Sequence, residues 1–128
     1  MNGAAAVAFK PANARTEIEQ QIGETVADAA IMVCASLEAG GLTGAARTRM
    51  ENLFVELYEL QQSTLGDLDF AAVARTEGKR ILWERHGATL LARVDYSETA
   101  INGAFDELIE RALDVLRKVT AVERARMH

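Results

Sequence analysis

The residue types that most often carry chemistry are scarce in this 128-residue chain, which has one cysteine, Cys34, and two histidines, His86 and His128. One cysteine forms no internal disulfide, and one Cys with two His falls short of a four-ligand zinc site. Cys34 stands in the apolar run Ala29-Ala30-Ile31-Met32-Val33-Cys34-Ala35. Burial there raises a thiol pKa, so Cys34 reads as a small core residue rather than a nucleophile. Glu84 and His86 are two apart and on a helix would face different ways, unlike the i, i+3 ligand pairs of di-iron bundles. Glu56/Glu59 and Glu107/Glu110 do share helix faces, but no histidine accompanies them, and they read as solvated charge. The remaining enzymatic reading is a pocket gathering Glu84, His86, Asp95 and Tyr96. No catalytic residue, cofactor or metal is assigned.

Two stretches invite an anion. Arg75, Lys79, Arg80, Arg85 and Arg93, with His86 among them, form the most basic segment and are the candidate contacts for phosphate or a partner. Against nucleic acid stand the net charge of −5 and the lack of a row of aromatics on which bases could stack. A helix-turn-helix alignment on Gly78 fits at Val73 and Ala74 but puts Glu77, Lys79 and Glu84 where that motif buries apolar groups. The basic segment is therefore expected to meet the chain's own carboxylates, those of residues 16–69, or a partner's. Gly40-Gly41-Leu42-Thr43-Gly44 precedes a helix but follows another, and it lacks the lysine of a phosphate-binding loop. It reads as a tight turn.

Positioning these residues is the work of helices. Thr16-Glu17-Ile18-Glu19 is a capping box, after which Ile18, Ile22, Val26, Ala29 or Ala30, Val33 and Leu37 recur at spacings of three and four. The first helix is predicted over 16–39, stopped by Gly40-Gly41. The second, over 43–64, carries Ala46, Met50, Leu53, Phe54, Leu57 and Leu60. The short link between them makes them antiparallel neighbours. A third, over 69–86, begins at an aspartate cap and is weakened by Gly78. The fourth, over 97–125, is capped by Ser97, with Asn102-Gly103 weakening its first turns. Its stripe of Ile101, Phe105, Leu108, Ile109, Ala112, Leu116, Val119 and Val122 runs along a helix about 42 Å long at 1.5 Å per residue.

Residues 79–96 admit two readings. One is helix, broken at His86-Gly87. The other is a β-hairpin in which Ala88, Leu90, Ala92, Val94 and Tyr96 alternate with Thr89, Leu91, Arg93 and Asp95. The first gives an all-α antiparallel four-helix bundle, the second an α+β fold; the abundance of Leu, Ala, Arg and Glu favours helix.

The wider composition is that of a single globular domain over 16–128 with a flexible tail over 1–15. Hydrophobic residues make up 49% and charged residues 26%. No apolar run approaches the ~20 residues of a membrane span and no basic region precedes Ala4–Phe9 as in a signal peptide, and the lone cysteine makes a reducing, cytoplasmic setting the expectation. Eleven arginines and three lysines make up the 14 basic side chains, a bias typical of GC-rich bacterial genomes. Charge is segregated: residues 16–69 carry −8 and residues 70–128 carry +1.

The second half of the first helix is apolar nearly all round, and the last helix outreaches its companions. Both point to a homodimer whose interface draws on Ile31, Met32, Cys34, Leu116, Val119 and Val122. The function expected from these features is that of a non-catalytic interaction or regulatory protein, an accessory factor of phage or plasmid type acting through protein–protein contacts. The alternative is a dimeric nucleic-acid-associated regulator using the basic segment 75–93.

Overall fold

Three of the helices begin where a side chain satisfies an orphan amide. In the computed structural model, which describes residues 16–93 and 95–126, Thr16 Oγ1 accepts from the Glu19 amide at 3.2 Å. Glu19 Oε1 in turn accepts from the Thr16 amide at 3.0 Å, closing the capping box of α1 (Glu17–Ala39). Gly40 ends α1 with φ of 74°, in the left-handed region that glycine enters without a Cβ clash. After this turn α2 (Gly44–Ser63) runs to Thr64, whose buried hydroxyl donates to the Leu60 carbonyl at 2.8 Å. Asp69 Oδ1 accepts from the Ala72 amide at 3.1 Å to start α3 (Phe70–Leu82), and Ser97 Oγ accepts from the Ala100 amide at 3.1 Å to start α5 (Glu98–Arg126).

Between α3 and α5 the helix does not break at His86-Gly87. It widens into a π turn, Trp83–Gly87, and continues as α4 (Ala88–Leu91). The hairpin reading of 79–96 is thus not realised: Ala88 and Leu90, offered for its alternating face, are helical. Val94 and the 1–15 tail lie outside the described residues. The expectation of a break rested on glycine as a helix stop, and here Gly87 does something else. A Cβ on Gly87 would lie 2.3 Å from Trp83 Cε3, so the glycine makes room for the indole. That ring meets Phe105 edge-on at 5.2 Å between centroids, and its Nε1 donates to Asn102 Oδ1 at 3.2 Å.

The four helical rods, α3 to α4 counting as one, form an all-α bundle with no strand among the described residues. α1 is central, touching α2, α3 and α5, and α5 likewise touches the other three rods, whereas α2 and α3 scarcely meet. The core follows this plan: Ile22, Val26 and Ala30 of α1 pack with Leu57 of α2, Leu82 of α3, and Ile109 and Leu116 of α5. The last buried position on α5 is Thr120, and the helix continues six residues beyond it.

At the crossing of α1 and α3 the backbones come close. A Cβ on Gly23 would stand 2.6 Å from Glu77 Cβ and 3.0 Å from the Glu77 carbonyl. A Cβ on Gly78 would stand 2.9 Å from Val26 Cγ1. Gly78 therefore does not mark weakness in α3; it admits the Val26 side chain.

Candidate functional site

The basic segment spends its charge inside the molecule. From α3, Arg75 grips Glu110 of α5 with both Nε (2.6 Å) and Nη2 (3.2 Å). One turn on, Lys79 meets Asp106 at 2.9 Å, and one turn further Trp83 meets Asn102. Partner numbers fall by four as the α3 numbers rise by four, so α3 and α5 run antiparallel. Arg80 bonds to Glu77 at 3.0 Å, to Glu84, and to Gln20 Oε1 of α1 at 2.6 Å. Arg85 reaches Asp28 of α1 at 2.6 Å, and Arg93 sits 5.5 Å from the centre of the Tyr96 ring. Of the carboxylates of residues 16–69, Asp28 thus meets Arg85, whereas Arg80 draws on Glu77, Glu84 and the Gln20 amide, and Arg75 and Lys79 turn to α5 instead.

The Arg75 guanidinium, hydrogen-bonded to Glu110, holds that carboxyl below its ordinary value of 4.5. A depressed acid stabilises the fold above its unfolded pKa and loses that contribution as pH falls through the folded one. Glu110→Gln is therefore expected to lower the urea midpoint at neutral pH, with the gap to wild type closing well below pH 4.5. A gap independent of pH would contradict this. Both side chains are half-exposed, so the effect is small.

The enzymatic set does not converge. Glu84 is engaged by Arg80, Asp95 is exposed, and Tyr96 lies beside Arg93. His86 is half-buried within the π turn, and His128 lies outside the described residues. Cys34 is half-buried, and burial, aided by Glu38, pushes its thiol pKa up. Among the described residues no group of three His, Cys, Asp or Glu is placed to hold a metal ion. No helix among them is long and apolar enough to cross a membrane.

What the surface does present is an apolar groove between α2 and the second half of α5. Met50, Phe54 and Val55 form one wall, and Val115, Val119 and Val122 the other. Its rim carries two acids, Glu51 and Glu123, and two bases, Lys118 and Arg126. Val55 is 52% and Val122 56% exposed, whereas Phe54 forms the buried floor. Two polar ties fix α2 against its neighbours: Thr25 Oγ1 donates to Glu56 Oε2 at 3.0 Å, and Thr120 Oγ1 donates to Gln61 Oε1 at 3.0 Å.

The interface residues expected from sequence divide accordingly. Val119 and Val122 line this groove. Leu116 does not; at 2% exposure it belongs to the bundle's own core. Ile31, 37% exposed, and the half-buried Met32 and Cys34 lie on α1, outside the groove lining. Sequence reasoning missed Val55, which stands off the α2 core stripe. An exposed valine on an otherwise polar helix face was the available signal.

The sequence matches no protein-family model, no curated protein and no solved structure.

Proposed function

We propose that this chain is a non-catalytic interaction protein that works by helix-to-helix contact through the groove between α2 and α5. The observation that carries this reading is the groove itself: four valines and a methionine, exposed or half-exposed between two well-packed helices and rimmed by balanced charge. Apolar side chains left partly open between two helices offer a surface against which the apolar face of another helix can pack. The chemistry that would compete with it is engaged elsewhere, since Arg75, Lys79, Arg80 and Arg85 all pair with side chains of the same molecule.

A photo-crosslinking residue at position 55, irradiated in cells, tests the reading. It is expected to give a discrete protein adduct, whereas the same residue at the exposed Ala72 of α3 gives none. No adduct from position 55, or the same adducts from position 72, would count against the groove.

A nucleic-acid regulator using residues 75–93 fits less well, because phosphate would have to displace carboxylates already in place, on a chain of net charge −5. No mobility shift with duplex DNA or RNA is expected even at low salt. A salt-sensitive shift lost in Arg75→Ala/Lys79→Ala would reverse that ranking.

A further inference from the structure

Val115, Val119 and Val122 follow one another at spacings of four and three, the alternation of d and a positions in a coiled coil. On that register Lys118 falls at g and Glu123 at the following e, five residues on. Upstream, the next a position, Ala112, is closed inside the bundle at 1% exposure, so the seam opens only from Val115 onward. Resting on the reading of the groove as a contact surface, we propose that its occupant is a second copy of this chain, bound parallel and two-fold, with α5 against α5.

Two features select this partner and this direction. In a parallel pair, g of one helix faces e of the other one heptad on, so Lys118 meets the partner subunit's Glu123, and the two-fold axis makes the same contact twice. An antiparallel pair would instead set Lys118 against lysine and Glu123 against glutamate. The rim as a whole sums to zero charge, with Glu51 and Glu123 against Lys118 and Arg126, whereas the chain carries −5. Two copies that repel overall meet at least cost where the local charge is neutral and self-complementary. The valine seam is short, and Met50 and Val55 of α2 widen it. The existing Glu123–Arg126 contact at 3.1 Å is exposed and yields readily.

Sedimentation equilibrium of the full chain at micromolar concentration is expected to give twice the chain mass of 13.9 kDa. Val122→Glu should give the single-chain mass with an unchanged far-ultraviolet circular dichroism spectrum. Lys118→Glu should raise the dimer Kd about tenfold by replacing attraction with repulsion at both contacts, and Lys118→Glu/Glu123→Lys should recover it. Val122→Cys in a Cys34→Ser background should oxidise to a disulfide-linked dimer, because d positions meet their own copies only in parallel pairing. A monomeric wild type, a dimer indifferent to Val122→Glu, a charge swap without recovery, or no disulfide would each overturn the proposal. A monomer whose position 55 still crosslinks to a different protein would overturn it while leaving the interaction reading intact; a monomer with no adduct would remove both.

Discussion

Gly23→Ala lowers stability, by about 1–3 kcal/mol, although alanine is the better helix former by about 1 kcal/mol. The added methyl would stand 2.6 Å from Glu77 Cβ and 3.0 Å from the Glu77 carbonyl. These atoms cannot swing aside as the end of a long side chain would, so α1 and α3 must separate. Separation loosens Val26 and Ile109 around Gly78 as well, since those side chains fill the neighbouring space. The internal control is Gly103→Ala in α5, where nothing lies within 4 Å of a new Cβ. There only the propensity and chain-entropy terms remain, and stability rises by about 0.5–1 kcal/mol. Thermal unfolding at matched protein concentration separates the two. Shifts of opposite sign are expected, about 4 °C per kcal/mol for a domain of this size. Shifts of the same sign would mean that the close helix crossing is absent in solution.

The second large effect concerns the π turn. Trp83→Leu costs about 2–4 kcal/mol, since it removes the edge-on contact with Phe105 and the bond to Asn102. Gly87→Ala in the wild-type background also destabilises, by about 1–3 kcal/mol, because its methyl would meet Trp83 Cε3 at 2.3 Å. In the Trp83→Leu background the obstruction is gone, and the alanine becomes neutral or favourable through its helix propensity. The double-mutant cycle measured by urea denaturation should therefore show a coupling of about 1–3 kcal/mol. Additive effects would contradict the account of Gly87 as space for the indole.

These two glycines also mark where the sequence stops being legible. Caps and periodicity are local, and they announced themselves: the Thr16/Glu19 box, the Gly40 stop, the aspartate cap of α3 and the Ser97 cap of α5 all stand where the residue pattern put them. A glycine inside a helix has two opposite meanings, a weak point or a gap for a neighbour, and only the neighbour decides between them. Gly78 and Gly87 read as the first and are the second. The ion pairs were half legible for the same reason. That Arg75 needed a carboxylate followed from its charge, but that the carboxylate is Glu110, 35 residues away, follows from the register of α3 against α5. On α5 the apolar stripe drifts around the helix, since neither 3 nor 4 matches 3.6. One continuous row of apolar letters therefore contains both Leu116, which closes the core, and Val122, which leaves it. The groove needed a second wall from α2 before it could be seen at all.

Crosslinking from position 55 in cells, repeated with Val122→Glu on the opposite wall, tests the groove most directly. The account predicts one discrete adduct that Val122→Glu abolishes while the helical spectrum is unchanged. An adduct that survives Val122→Glu, or none in either protein, would contradict it.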